Sequence, residues 1–254
     1  MDLLQLLLLA VIGVLGGVLS GLVGVGGGVI FVPGLIFAGG WRIQEAVAAS
    51  LVIIVFSAIS GTIRNAGSDD PVDWKTAGLL SLTVAPSSLI GVYISKVSPE
   101  VVVQIAFAVL LLALAYPTAR GNKSSVAAGG KTLPLPVVLL AGVGVGTLSG
   151  LLGIGGGVML VPLMVLGFGV GVKLAVSTSL AIVLATSVVG AAGYLLTGFD
   201  RVWGLPPLVV GAIFGAWLGV LVRDWLPEDK LRIGFGVFMV VVAVRIGGQA
   251  LGIF

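Results

Sequence analysis

The chain contains no cysteine and no histidine, and its 254 residues carry only thirteen basic and ten acidic side chains. Without cysteine there is no thiol nucleophile, no disulfide and no thiolate metal ligand. Without histidine there is no imidazole metal site and no histidine proton relay working near neutral pH. Charged residues make up 9% of the chain, against about 25% in an ordinary soluble domain. The basic residues stand singly between apolar stretches, so the net charge of +3 gives no patch for nucleic acid. The apolar stretches hold no Ser/His/Asp set, no metal-ligand cluster and no paired carboxylates, which argues against an enzyme and implies neither metal nor cofactor.

What is abundant is apolar surface, at 58% of residues, together with 41 glycines. Such a composition describes an all-α polytopic membrane protein. The first apolar run, from Leu3 to Leu19, has an acidic flank in Asp2 and no basic segment before it, and it continues into a glycine cluster. It therefore reads as a retained membrane helix rather than a signal peptide. Leu3 to Ala38 as one helix would be roughly 55 Å long, against a hydrocarbon core of about 30 Å. It must be broken, and Gly24 to Gly28 is the place, giving helices over about 3–22 and 28–38. Further spans follow at about 43–63, 74–94 and 100–118, then 134–152, 158–168, 174–196, 203–222 and 231–251. Pro86 is positioned to kink the span it sits in. Trp41 is placed for the interfacial aromatic belt.

The glycine cluster occurs twice. Ser20-Gly-Leu-Val-Gly24-Val-Gly26-Gly27-Gly28-Val-Ile-Phe-Val-Pro33 returns as Ser149-Gly-Leu-Leu-Gly153-Ile-Gly155-Gly156-Gly157-Val-Met-Leu-Val-Pro162, with ten of fourteen positions identical. The register extends well beyond the motif: Ser50 meets Ser179, Trp74 meets Trp203, and Pro99-Glu100 meets Pro227-Glu228. The chain is a duplication, with one repeat over 1–119, a Gly/Ser/Lys linker over 120–132, and a second repeat over 133–254.

Whether the broken segment crosses or returns decides how the halves face. If it crosses, basic residues divide almost evenly between the two sides. If it returns, one side collects Arg64, Lys75, Arg120, Lys123, Lys131, Lys173, Arg223, Lys230 and Arg232, nine of the thirteen. The positive-inside rule then favours inverted repeats. Each repeat has a glycine-broken re-entrant or discontinuous helix plus three spans, and the linker is cytoplasmic.

Broken helices at matching places in two halves point to a transporter site. Glycines bare the backbone, and a helix N-terminus carries roughly half a positive charge. Close helix packing accounts equally well for a lone glycine. It accounts less well for a duplicated cluster with Ser and Pro at fixed offsets. The candidate substrate ligands are therefore Ser20, Gly24, Gly26, Gly27 and Gly28, their counterparts Ser149, Gly153, Gly155, Gly156 and Gly157, and the hydroxyls Ser50, Ser177, Thr178 and Ser179. Ser57, Ser60, Thr186 and Ser187 add further hydroxyls at similar depth. For any one of these hydroxyls, a bond back to its own helix is the competing explanation. Such a site suits a small anion, since no acidic residue sits inside a span to serve a cation. Arg64 and Asn65, at the end of a span, are candidate vestibule residues. For Arg64 an interfacial anchor is the reading favoured over a substrate ligand. The cluster is no nucleotide fingerprint, because it lacks the lysine of a phosphate loop and any βαβ context.

The paired motif, the number of spans and the length resemble the TauE/SafE sulfite exporter family, an anion permease family, over almost the whole chain. Val72-Asp73-Trp74, with Val202-Trp203 later, adds to the likeness. The resemblance implies a secondary transporter of small sulfur-containing oxyanions, such as sulfite or organosulfonates, in the inner membrane of a prokaryote. It also implies that Arg64-Asn65 stands where a histidine-containing segment often lies, so histidine-based proton coupling is not expected here. Implied partners are the anion and the lipid bilayer, and a homo-oligomer is compatible with them. A passive anion channel and a non-transporting accessory subunit are the alternatives.

Overall fold

The computed structural model describes residues 3–67, 71–120, 133–199, 205–222 and 228–253. Among them are ten helices and no strand. The first half holds α1 (Leu3–Val23), α2 (Gly28–Gly39), α3 (Ile43–Ala66), α4 (Trp74–Val97) and α5 (Glu100–Arg120). The second holds α6 (Leu135–Leu152), α7 (Gly157–Phe168), α8 (Val172–Leu196), α9 (Pro206–Val222) and α10 (Glu228–Ala250). Five stretches are long and apolar enough to cross a membrane: Leu6–Val23, Ile43–Ala66, Trp74–Val97, Leu135–Leu152 and Lys173–Leu196. The linker expected over 120–132 falls, after Arg120, outside the described residues, as do Val202 and Trp203.

The span expected over about 43–63 runs three residues further, because α3 continues through Arg64 and Asn65 to Ala66. The apolar run stops at Ile63, and the guanidinium of Arg64 lies over the Trp217 ring of a neighbouring helix. Pro86 lies inside α4, which runs as one helix from Trp74 to Val97. Its exposed ring costs that helix one backbone bond.

The helix breaks form where the glycines require them. Gly24, Gly26 and Gly27 have φ of 72°, 86° and 82°, and Gly153, Gly155 and Gly156 have 68°, 81° and 81°. No other residue type enters this region of backbone space among the described residues, because a Cβ there meets the neighbouring carbonyl. After its break, α2 runs back along α1: Gly16 faces Phe31 and Gly34 faces Ile12. In the second half Gly167 faces Val138 while Gly156 faces Val145, so α7 runs back along α6 in the same way.

The halves interlock rather than sit side by side. α1 packs against α9, where Gly13, Gly17 and Gly21 meet Leu208, Ala212 and Ala216. α6 packs against α4 in the same manner, with Gly146 on Val84 and Gly150 on Ser88. Small residues every fourth position let these backbones touch, the usual device for joining helices in lipid. At the centre α3 and α8 cross in opposite directions: Gly61 lies on Leu180 and Gly190 on Leu51. α3 is the repeat counterpart of α8, so equivalent helices run antiparallel. The start of α3 is held by Glu100, whose carboxylate accepts the Ile43 N–H at 3.2 Å. Asp73 caps α4 by accepting from the N–H groups of Lys75 and Thr76, both at 3.1 Å.

Candidate functional site

The two breaks lie against each other at the centre of the bundle. A Cβ on Gly28 would stand 2.2 Å from the Gly153 carbonyl oxygen, and one on Gly157 would stand 2.2 Å from that of Gly24. The two strands of loop therefore pass in opposite directions, with Gly26 beside Gly155 at the crossing. These two glycines hold the same position in the two motif copies. Both face the same pair of side chains, Ile54 from the middle of α3 and Val183 from the middle of α8. Residues 24–29 and 153–158 are all buried.

The paired serines hold this crossing together. Ser50 Oγ donates to the Gly153 carbonyl at 2.7 Å and lies 2.8 Å from Val47 O of its own helix. Ser179 Oγ does the same in the other direction, to Gly24 O at 2.9 Å and Val176 O at 2.8 Å. Each half thus secures the broken helix of the other. A hydroxyl has one proton, shared here between two carbonyls, so these serines satisfy backbone that the glycine turns leave exposed. Ser57 Oγ is 3.2 Å from Ile54 O and only distantly, at 3.5 Å, from Gly26 O.

Ser20 and Ser149 behave differently. They are 0% and 1% exposed, and neither hydroxyl has a hydrogen-bond partner. The Ser149 hydroxyl lies 3.7 Å from where a Cβ on Gly156 would be, and Gly156 caps the N-terminus of α7. An unmet buried hydroxyl costs about 1–3 kcal/mol, so two at matching positions call for an occupant that can meet them. The backbone nearby is also short of acceptors. At the first break, Gly24 N–H donates to Ser20 O, and the N–H groups of Ile30 and Phe31 donate to Gly27 O. Those of Val25 to Gly28, between these turns, take part in none of them. The second break repeats this, with Gly153 bonded to Ser149 O, and Met159 and Leu160 to Gly156 O. Backbone N–H groups beside left-handed glycines are the kind of donor that an anion recruits.

The remaining expected residues fall at one end of the crossing. Ser177, Thr178 and Ser179 are buried in the first turns of α8. Thr178 Oγ1 accepts the Asp73 N–H at 3.1 Å, so it also anchors the start of α4. Asn65 is fully buried, and Arg64 is half-buried with its guanidinium carbon 5.7 Å from the centre of the Trp217 ring. Sequence reasoning missed Trp217, Ile54 and Val183, since nothing in a run of apolar residues marks which of them face the crossing. Among the described residues no group of three or more acidic residues forms a metal site.

Interlocked apolar helices around paired glycine breaks are the architecture of a polytopic membrane transporter. The profile of the family named Sulfite exporter TauE/SafE matches residues 9–246, and the chain belongs to that family. It is similar to the probable membrane transporter protein YunE of Bacillus subtilis, at 28% identity over 99% of this chain and all of that one. A probable membrane transporter protein of Haemophilus influenzae is 28% identical over 94% of this chain and 97% of its own length. The probable membrane transporter protein MJ0441 of Methanocaldococcus jannaschii is 27% identical over 91% of both chains. No solved structure matches the chain.

Proposed function

We propose that the protein is a secondary transporter of small sulfur-containing oxyanions, sulfite or an organosulfonate, in the inner membrane of a prokaryote. The observation that carries this reading is the crossing of the two breaks. It offers buried, unmet hydroxyls and, among the described residues, no fixed negative charge. An anion between the breaks would accept from the hydroxyls of Ser20 and Ser149 and from the N–H groups around Gly26 to Gly28 and Gly155 to Gly157. Ser50 and Ser179 act as positioning residues that hold the breaks in register. Neutral donors of this kind bind an anion without the cost of a fixed charge at the membrane centre. The family name supports the sulfur chemistry.

The repeats are inverted, and each broken segment re-enters rather than crosses. The antiparallel course of α2 on α1, and of α3 on α8, supports this. So does the charge distribution, since in this arrangement the described Arg64, Lys75 and Lys173 stand at helix ends on one side. Rocking of one interlocked set of helices against the other then alternates access to the crossing. Uptake of radiolabelled sulfite into proteoliposomes tests the reading. Saturable flux, competed by unlabelled sulfite or a short organosulfonate, is expected. Absence of both saturable flux and saturable binding for any sulfur oxyanion overturns it, and unsaturable single-channel currents would indicate a channel instead.

A further inference from the structure

The backbone at the crossing is two-fold symmetric, but the side chains around it are not. The Gly24 end is bordered by the last turn of α3 and the first turns of α8. The Gly153 end is bordered by the first turns of α3 and the last of α8. At the Gly24 end stand Thr62, Arg64, Asn65, Ser177 and Thr178. Their repeat counterparts at the other end, 129 positions away in the sequence, are Ala191, Gly193, Tyr194, Ala48 and Ala49. Duplication began with equal ends, so one has become polar or the other has lost its polarity.

The polar end has donors to spare. Gly21 of α1 packs on Ala216 of α9, and the next residue, Trp217, carries the guanidinium of Arg64. Arg64 is thereby held at the depth of Ser20 and Gly21. Its Nε is buried and makes no hydrogen bond, and the hydroxyls of Ser20 and Thr62 are likewise buried and unpartnered. Asp73, a described acid at this end, is already engaged: its carboxylate accepts from Lys75 N–H, Thr76 N–H and the Thr76 hydroxyl. The other end also holds unpartnered hydroxyls, Ser95 and Ser149, but its larger polar groups are engaged. Tyr194, 3% exposed, donates to Gly150 O at 3.0 Å, and the exposed Lys96 donates to Thr197 O.

We propose that the Gly24 end is where the anion is selected, with Arg64 supplying a fixed cation and two guanidinium donors to a pair of its oxygens, and that the Gly153 end is the release path. This rests on the anion-transporter reading. A guanidinium laid on an aromatic face keeps its edge free, and that edge matches two oxygens of a sulfite, sulfonate or carboxylate group. In the inverted arrangement this end lies on the side that collects nine of the thirteen basic residues, the cytoplasmic one. Selection at the cytoplasmic mouth and release along the outer path suit an exporter.

The test is equilibrium binding of radiolabelled sulfite to the purified full chain, with thermal unfolding read alongside. The wild type binds saturably. Arg64→Gln weakens binding about tenfold or more, and Arg64→Lys recovers part of the loss because charge returns without the fork. Tyr194→Phe, at the mirror end, leaves binding within about twofold of wild type, since a phenol bonded to a carbonyl contributes nothing to anion affinity. If Arg64→Gln fails to fold, Arg64→Lys and Thr62→Val decide, each expected to weaken binding severalfold with a near-native unfolding midpoint. Wild-type binding that survives in Arg64→Gln, or in both Arg64→Lys and Thr62→Val, overturns the assignment of the selecting end while leaving the transporter reading intact. A wild type that binds no sulfur oxyanion removes the reading itself.

Discussion

Ser50 and Ser179 illustrate how one residue type divides by position. Both were expected as ligands on the strength of their pairing, yet each proton goes to a carbonyl, while Ser20 and Ser149, with Thr62, Ser95 and Ser187, are buried hydroxyls left without partners. A sequence shows which hydroxyls are paired by repetition. It does not show where the neighbouring carbonyls fall once the chains cross. Ser50→Ala should therefore act first on stability. It leaves the Gly153 carbonyl unmet, at a cost of about 1–3 kcal/mol, and Ser179→Ala should match it by symmetry. Thermal unfolding in detergent checks both, and unchanged midpoints would mean that the cross-bonds hold nothing. Glycines can be sorted the same way. Gly28→Ala would drive a methyl into the Gly153 carbonyl, and the crossing could not close, so transport and folding should both fail. Gly78→Ala, on the open face of α4 with nothing within 4 Å, should be neutral or stabilise by about 1 kcal/mol. The contrast is read from expression and unfolding midpoint.

At the scale of elements, the need for a break in the first apolar stretch followed from length alone, and the glycines located it to within a residue. Partners did not follow. That α1 lies on α9 and α6 on α4 comes from small residues spaced to fit the opposite half, and spacing alone does not name the helix on the other side. Gly17→Leu should separate α1 from α9, because a Cβ there already meets the Ala212 carbonyl at 2.4 Å. Loss of a monodisperse protein on size-exclusion is the expected result. The start of α4 offers a pH test. The Thr76 hydroxyl, and then the Thr76 N–H, hold the Asp73 carboxyl below its usual value. A lowered pKa in the folded state means that the cap stabilises fully above the ordinary carboxylate range, and that its contribution fades as pH falls through the lowered value. Asp73→Ala should thus cost about 1 kcal/mol at neutral pH. Its deficit against wild type should shrink in acid, measured as the difference between the two unfolding midpoints.

For the whole molecule the open matter is orientation, and the absence of cysteine makes it accessible. Arg42 and Gly171 are repeat counterparts, both exposed and both at the N-cap of their helices. Single cysteines at these two positions should label from opposite sides of the membrane with an impermeant maleimide. Labelling from the same side would mean parallel repeats and would remove the reading in which the breaks re-enter. The sequence count of cations favoured inversion by a small number of residues. Gly61 on Leu180 and Gly190 on Leu51 set α3 and α8 running oppositely, and the labelling reads how these directions map onto the membrane.

The two motifs were first visible as a duplicated helix break. Composition and length by themselves determined that the chain is helical, that it belongs in a bilayer and that each half must break near its glycines, because helix rise and bilayer thickness are fixed quantities. Only the tertiary structure decided that the breaks cross each other, that each is secured by a serine of the opposite half, and that the polar residues gather at one end of the crossing. These are relations between residues more than a hundred positions apart. They depend on which backbones can approach closely enough to touch, and a single sequence does not carry that information.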